Sequence, residues 1–295
     1  MIQYNPKDWF TFIFRAHKAD TVRILAKMML ALAVYCLLVA WLEKEVFKLT
    51  DSNLVKNLPL LHTLLGSVIS LLLVFRTNTA YDRWWEGRKL LGSLTNTSRA
   101  LAIKINAYLQ GQAHADRRAY FKTAIPFFAS SLRTHLLKQS TAEELFSEDV
   151  HHHVINNFDK EAHIPNQVCN SLVMQITEAY KAGSITDIQM VNLNADVQEF
   201  VNICGACERI RNTPIPFSYS AFLKKFIFFY VMTMPFGFVF SLGYLCVPVV
   251  VFIFYVLASL ELIAEEIEEP FGDDVNDLPV GLIAANIKKH VEEIL

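Results

Sequence analysis

Seven carboxylates crowd a short stretch near the end of this 295-residue chain: Glu265, Glu266, Glu268, Glu269, Asp273, Asp274 and Asp277. Carboxylate oxygens are hard ligands that suit calcium. Asp273, Asp274 and Asp277 are the candidate metal ligands. The spacing does not fit an EF-hand, which needs ligands at alternating positions and a distal Glu. Val275 and Asn276 also interrupt the run. The plainer use is an acidic face that pairs with Arg83 or Arg88. A metal-dependent membrane enzyme built on residues 261–277 is the catalytic alternative. No His-Glu pair, glycine-rich phosphate loop or nucleophile elbow supports it. His62, His135 and His163 lie too far apart in sequence to predict a shared site. His151, His152 and His153 are adjacent and so point three ways from a helix, which suits a solvated face. Cys204-x-x-Cys207 has no second pair and no flanking His, so helix packing is expected there rather than zinc or redox chemistry. The expectation is a protein that is not an enzyme and uses no cofactor.

A different chemistry is written in the spacing of Ser67, Leu71 and Phe75. Residues four apart share one side of a helix. Such a stripe either packs against a neighbouring helix or lines a narrow apolar constriction. Beyond it come Asp82, Arg83, Trp84, Trp85 and Glu86. Arg83 is expected to be partly buried there and paired with Glu265, Glu266 or Asp277.

The elements that hold these residues follow from composition. The chain is 53% hydrophobic, with mean hydropathy +0.29 and net charge −2. That is too apolar for an ordinary soluble domain, and it carries no nucleic-acid signature. Residues 1–23 read as a surface helix lying on the membrane. Residues 24–85 hold two spans, the second within an uninterrupted helical stretch from Leu64 to Leu91. Residues 86–220 change character: charges are frequent and apolar residues recur at helical spacing, giving a helical cytosolic domain. Residues 221–262 are long enough for two spans, divided near Ser241 to Cys246, with Pro235, Gly237, Gly243 and Pro248 breaking the run. Residues 263–295 form an acidic segment and a final amphipathic helix. Lys224 and Lys225 put the flanks of this last pair inside, so both termini are cytoplasmic. The architecture expected is an all-α membrane protein with four spans and no cleavable leader. The five scattered cysteines are expected to be reduced.

The stretch LLGSVISLLLVFRTNTAYDRWWEGRKL resembles the second transmembrane helix of bestrophins, above all the bacterial ones. Three further pieces agree in order. They are Cys204 to Arg209 followed by Thr213-Pro214-Ile215-Pro216-Phe217-Ser218-Tyr219, then Ala264 to Gly272, then Asn276-Asp277-Leu278-Pro279. The resemblance covers nearly the whole chain. It implies a homopentameric channel in the inner membrane that passes small inorganic ions. It places Ser67, Leu71 and Phe75 in the pore neck and Ile188 at a second, cytosolic constriction. Ser67 stands where the family usually has a bulky apolar residue, so this neck is expected to be wider or wetter at its top. Eukaryotic members hold calcium after the matching Pro-Phe-Gly; the interrupted acidic run here argues against calcium gating. A non-conducting membrane interaction protein is the remaining alternative. An apolar neck has no charge with which to choose anions or cations, and the acidic tail tilts the expectation slightly towards cations.

Overall fold

The computed structural model describes residues 21–46, 58–137, 158–159 and 161–295. Residues 1–20 of the surface helix expected over 1–23, residues 51–57 of a loop expected over 51–59, and a helix expected over 140–157 with its three histidines lie outside these residues. Among the described residues all regular structure is helical. The chain divides into two compact units. One comprises the described residues up to Arg83 with Pro214–Glu268. The other comprises Trp84–Thr213 and Glu269–Leu295.

The first unit is apolar. Helix α1 runs Thr21–Trp41 and ends in a π-turn at Leu42–Val46. Helix α2 runs Leu58–Tyr108, 51 residues without a break. Pro59 sits in its first turn, where a missing N–H breaks no intrahelical bond. The sequence pattern carried this helix as far as Leu91; it continues to Tyr108, about five more turns. A helix needs a terminator rather than a change of surroundings, and none comes before Gly111, whose φ of 83° leaves the helical region. Arg118 supplies the C-terminal cap of α2 through its Nη1, which donates to the carbonyls of Leu109 and Gly111.

Helices α6 (Phe217–Leu242) and α7 (Cys246–Glu268) complete the apolar unit. The run between them breaks at Gly243, whose φ is +59°, within the expected 241–246 window. Helix α7 packs on α1 and α6. The shared core includes Leu25, Leu32, Ile69, Leu73, Ile227 and Val250. Gly66 permits a close approach: a Cβ there would lie 2.6 Å from the Tyr230 hydroxyl, which donates to the His62 carbonyl at 3.2 Å. Among the described residues three stretches are long and apolar enough to cross a membrane, at Thr21–Val46, Leu58–Tyr108 and Phe217–Glu268, the last divided at Gly243.

The second unit is an ordinary helical core. Helix α3 spans Ala115–Leu137, α4 Ile164–Lys181, α5 Asp187–Asn212 and α8 Val280–Ile294. A capping box of Thr186 and Gln189 starts α5. Helix α8 buries Val280, Ala284, Ile287 and Val291 against α3, one stripe of an amphipathic helix. Phe128 and Phe200 stack with ring centroids 4.6 Å apart at the centre. Here the second half of α2 contributes Leu91, Leu94, Leu101 and Ile105 to the core. Its Lys104 is held by Asp196 of α5 at 2.8 Å.

Candidate functional site

Between Leu60 and Asp82, α2 has two unlike faces. One is inserted in the apolar unit: Ile69 and Leu73 are each 1% exposed, Arg76 is 2% exposed and Ala80 is buried. The spacing of four, three and four puts these residues on one side. The other side carries Ser67, Leu71 and Phe75, all exposed on the subunit, with Leu71 and Phe75 each at 56%. At 3.6 residues per turn, Leu60, Leu64, Asn78 and Asp82 fall on that same side and are exposed as well. The exposed face is uncharged until Asp82.

Hydroxyl groups on this half of α2 are turned back to the helix. Thr63 donates to the Pro59 carbonyl at 2.9 Å, Ser67 to Thr63 at 3.1 Å, Ser70 to Gly66 at 2.7 Å and Thr79 to Phe75 at 2.9 Å. Their protons are spent on backbone oxygens four residues back. The side chains of Leu71 and Phe75 offer hydrocarbon, and the hydroxyls near them keep only oxygen lone pairs. The face holds no nucleophile and no acid–base pair.

Behind this face the buried side is fixed by a charge cluster. Arg76 Nη2 lies 2.6 Å from Glu268 Oε2, and its Nε lies 3.5 Å from Glu261 Oε2. The other oxygen of Glu268 accepts the Ile215 amide at 2.7 Å. The Glu268 carbonyl accepts Arg83 Nε at 3.0 Å. Tyr219 donates to the Leu72 carbonyl at 2.9 Å. Arg83 is half-buried, and Glu265 is exposed and paired with Lys224 at 2.8 Å. The deep ion pair thus belongs to Arg76, the first charge after the apolar run Leu64 to Phe75. A cation bordering a long apolar run looks like an interfacial anchor until its partners, about 190 positions away, are placed beside it.

The remaining candidates belong to the second unit. Ile188, the second residue of α5, is 74% exposed. Asp277 is buried, and its Oδ2 accepts the Asp274 amide at 2.6 Å, closing the acidic turn on itself. Asp273 and Asp274 are exposed; Glu266, which belongs to the apolar unit, is half-buried. Trp84 Nε1 donates to the Asn276 carbonyl at 3.0 Å, so that turn is also tied to α2. The expectation that the histidines stay apart does not hold for two of them. His135 Nε2 and His163 Nε2 lie 2.7 and 2.6 Å from Glu208 Oε1. Burial pushes the His135 ring below its ordinary range, and the neighbouring His163 adds to this. Burial alone would raise the Glu208 carboxyl, but the hydrogen bonds from His163 and His135 take it below the usual range. His62 stands elsewhere, buried in the apolar unit, with Nδ1 2.9 Å from the Leu58 carbonyl and Nε2 3.1 Å from Thr233 Oγ1. Cys169, Cys204 and Cys207 are unpaired, and burial pushes their thiols up to about 12. Such thiols are inert.

Comparison with known proteins fits this geometry. The sequence profile described as bacterial/fungal bestrophin protein matches residues 1–293. A voltage-dependent anion channel-forming protein of Nostoc sp. is 32% identical over 300 residues, covering 98% of this chain and 92% of that protein. The voltage-dependent anion channel-forming protein YneE of Escherichia coli is 30% identical over 98% of this chain and 92% of its own length. A bacterial bestrophin homologue from Klebsiella pneumoniae superposes with TM-score 0.78 at 25% identity, covering 91% of this chain and 98% of that one.

Proposed function

The chain belongs to the bacterial/fungal bestrophin family, and we propose that five copies form a ring that conducts small monovalent ions passively across the inner membrane. Family membership and the channel-forming relatives point to a channel rather than an enzyme. The observation that carries the reading is the exposed, uncharged face of α2. One subunit offers a single such face, so a pore requires several copies related by head-to-tail contacts. In the ring, α1, the first half of α2, α6 and α7 are the four spans, and both termini lie in the cytoplasm. Leu71 and Phe75 stack as apolar rings of the neck, with Ser67 above them. Ile188 supplies the second constriction. Water and ions leave an apolar constriction readily, because its walls give nothing in exchange for hydration. The rings therefore set a dehydration barrier rather than a binding site, and conduction takes no cofactor.

The neck does not choose the sign of the ion. The relatives are named for anions, whereas the first charge met on this chain's α2 face is the carboxylate of Asp82. Purified protein in a planar bilayer under asymmetric NaCl tests the whole reading. A passive current with a defined reversal potential is expected, and its sign gives the selectivity. Absence of current from pentameric protein would leave the non-conducting interaction protein. Metal-dependent turnover without current would favour the enzyme. A stable monomer or dimer in mild detergent would contradict the ring.

A further inference from the structure

We propose that His135, His163 and Glu208 bind one divalent transition-metal ion of the zinc class. The three side chains come from three elements of the second unit. His135 lies in the last turn of α3, His163 caps the start of α4, and Glu208 lies in the second-last turn of α5. Their ligand atoms all lie within 4.8 Å of one another. Two imidazoles and one carboxylate suit zinc far better than calcium or magnesium, which want oxygen. Three protein ligands leave a fourth tetrahedral position for water or an outside ligand.

The present separations of 2.7 and 2.6 Å are hydrogen bonds. In a tetrahedral zinc site neighbouring ligand atoms stand about 3.3 Å apart, from bond lengths near 2.0–2.1 Å. The side chains must therefore spread by roughly 0.6 Å. They have the freedom to do so, since each is close to one-third exposed: 31% for His135, 30% for His163 and 28% for Glu208.

The protons can be followed. His163 Nδ1 accepts the Asn166 amide at 3.2 Å, so its ring proton sits on Nε2 and points at Glu208. A metal on Nε2 moves that proton to Nδ1. The ring stays neutral, and the backbone amide of Asn166 loses that acceptor. One long capping bond is given up for a metal–nitrogen bond. Arg211 opposes the ion, since its Nη1 donates to the His135 carbonyl at 2.6 Å. Glu208 offsets that charge. The bound ion would clamp the end of α3 and the start of α4 to α5, stabilising the second unit independently of conduction.

The test uses full-length protein in detergent, stripped with a chelator. Zinc chloride is titrated by calorimetry and cobalt chloride by visible absorption. The expected result is one ion per chain, the intense visible bands of tetrahedral cobalt, and a higher melting temperature with zinc. His163→Asn removes the imidazole but keeps a side chain favoured at helix caps. Glu208→Gln keeps the shape. Each should bind more weakly by more than the roughly 10–100-fold that loss of an outer-shell partner costs. If Glu208→Gln does not fold, His163→Asn decides alone. No stoichiometric uptake by the parent, or unchanged affinity in a folded variant, overturns the site.

Discussion

The two faces of α2 between Ser67 and Asp82 are made of similar residues and placed in opposite surroundings. Leu73 is 1% exposed and Leu71 is 56% exposed, two positions apart on the same helix. The buried face is fixed by contacts within one subunit and ends on a desolvated ion pair. The exposed face has no packing partner among the described residues and hides its hydroxyl protons. Hydrophobicity alone does not separate the packed side of α2 from the exposed one; which side a subunit fills for itself does.

The largest effect expected from breaking this contrast is at Arg76. Removing one member of a buried pair leaves an uncompensated charge and costs about 3–5 kcal/mol. Arg76→Ala should lower the melting temperature and the yield of assembled protein, measured by thermal denaturation and size-exclusion chromatography. Normal assembly would mean that the Glu268 carboxylate does not depend on it. Leu73→Ala comes next, at about 2–5 kcal/mol for a core Leu. It should destabilise without raising current. Phe75→Ala should do the reverse, because it removes ring bulk from an exposed position and leaves the core intact. Its melting curve should match the parent while single-channel conductance rises several-fold. Ile188→Ala should raise conductance less, with a shift in ion preference read from the reversal potential. Asp82→Asn should give the smallest change: removing the first carboxylate on the face moves the reversal potential towards anions at low salt, and this movement shrinks as salt screens it.

The sequence made the long apolar features legible for physical reasons. Leu64 to Leu91 has no Pro, so a continuous helix was expected, and the break within 241–246 was announced by its glycine. The extension of α2 to Tyr108 was hidden by a change of composition at Gly87, which altered the surroundings without stopping the helix. The exposure of Ser67, Leu71 and Phe75 could not be read from spacing, since a packing seam has the same period. Ile69, Leu73, Arg76 and Ala80 decide it by filling the opposite side. The pairing of Arg76 with Glu268 escaped notice because a buried ion pair has no local signature when its members are 192 positions apart. The meeting of His135 and His163 on Glu208 was equally non-local. One signal was available: His163 directly precedes Ile164-Pro165, the place of a helix cap.

The second unit offers a control that should show no change. With thiols raised to about 12, Cys169, Cys204 and Cys207 hold almost no thiolate at pH 8. A thiol-reactive probe should label none of them in folded protein and all of them after denaturation.

The most direct measurement is the single-channel conductance of Phe75→Ala beside the parent and Leu73→Ala in one bilayer preparation. An apolar neck lined by the exposed face of α2 gives a larger conductance for Phe75→Ala and no gain for Leu73→Ala. A gain from Leu73→Ala with none from Phe75→Ala would put the other side of α2 on the axis and contradict the account.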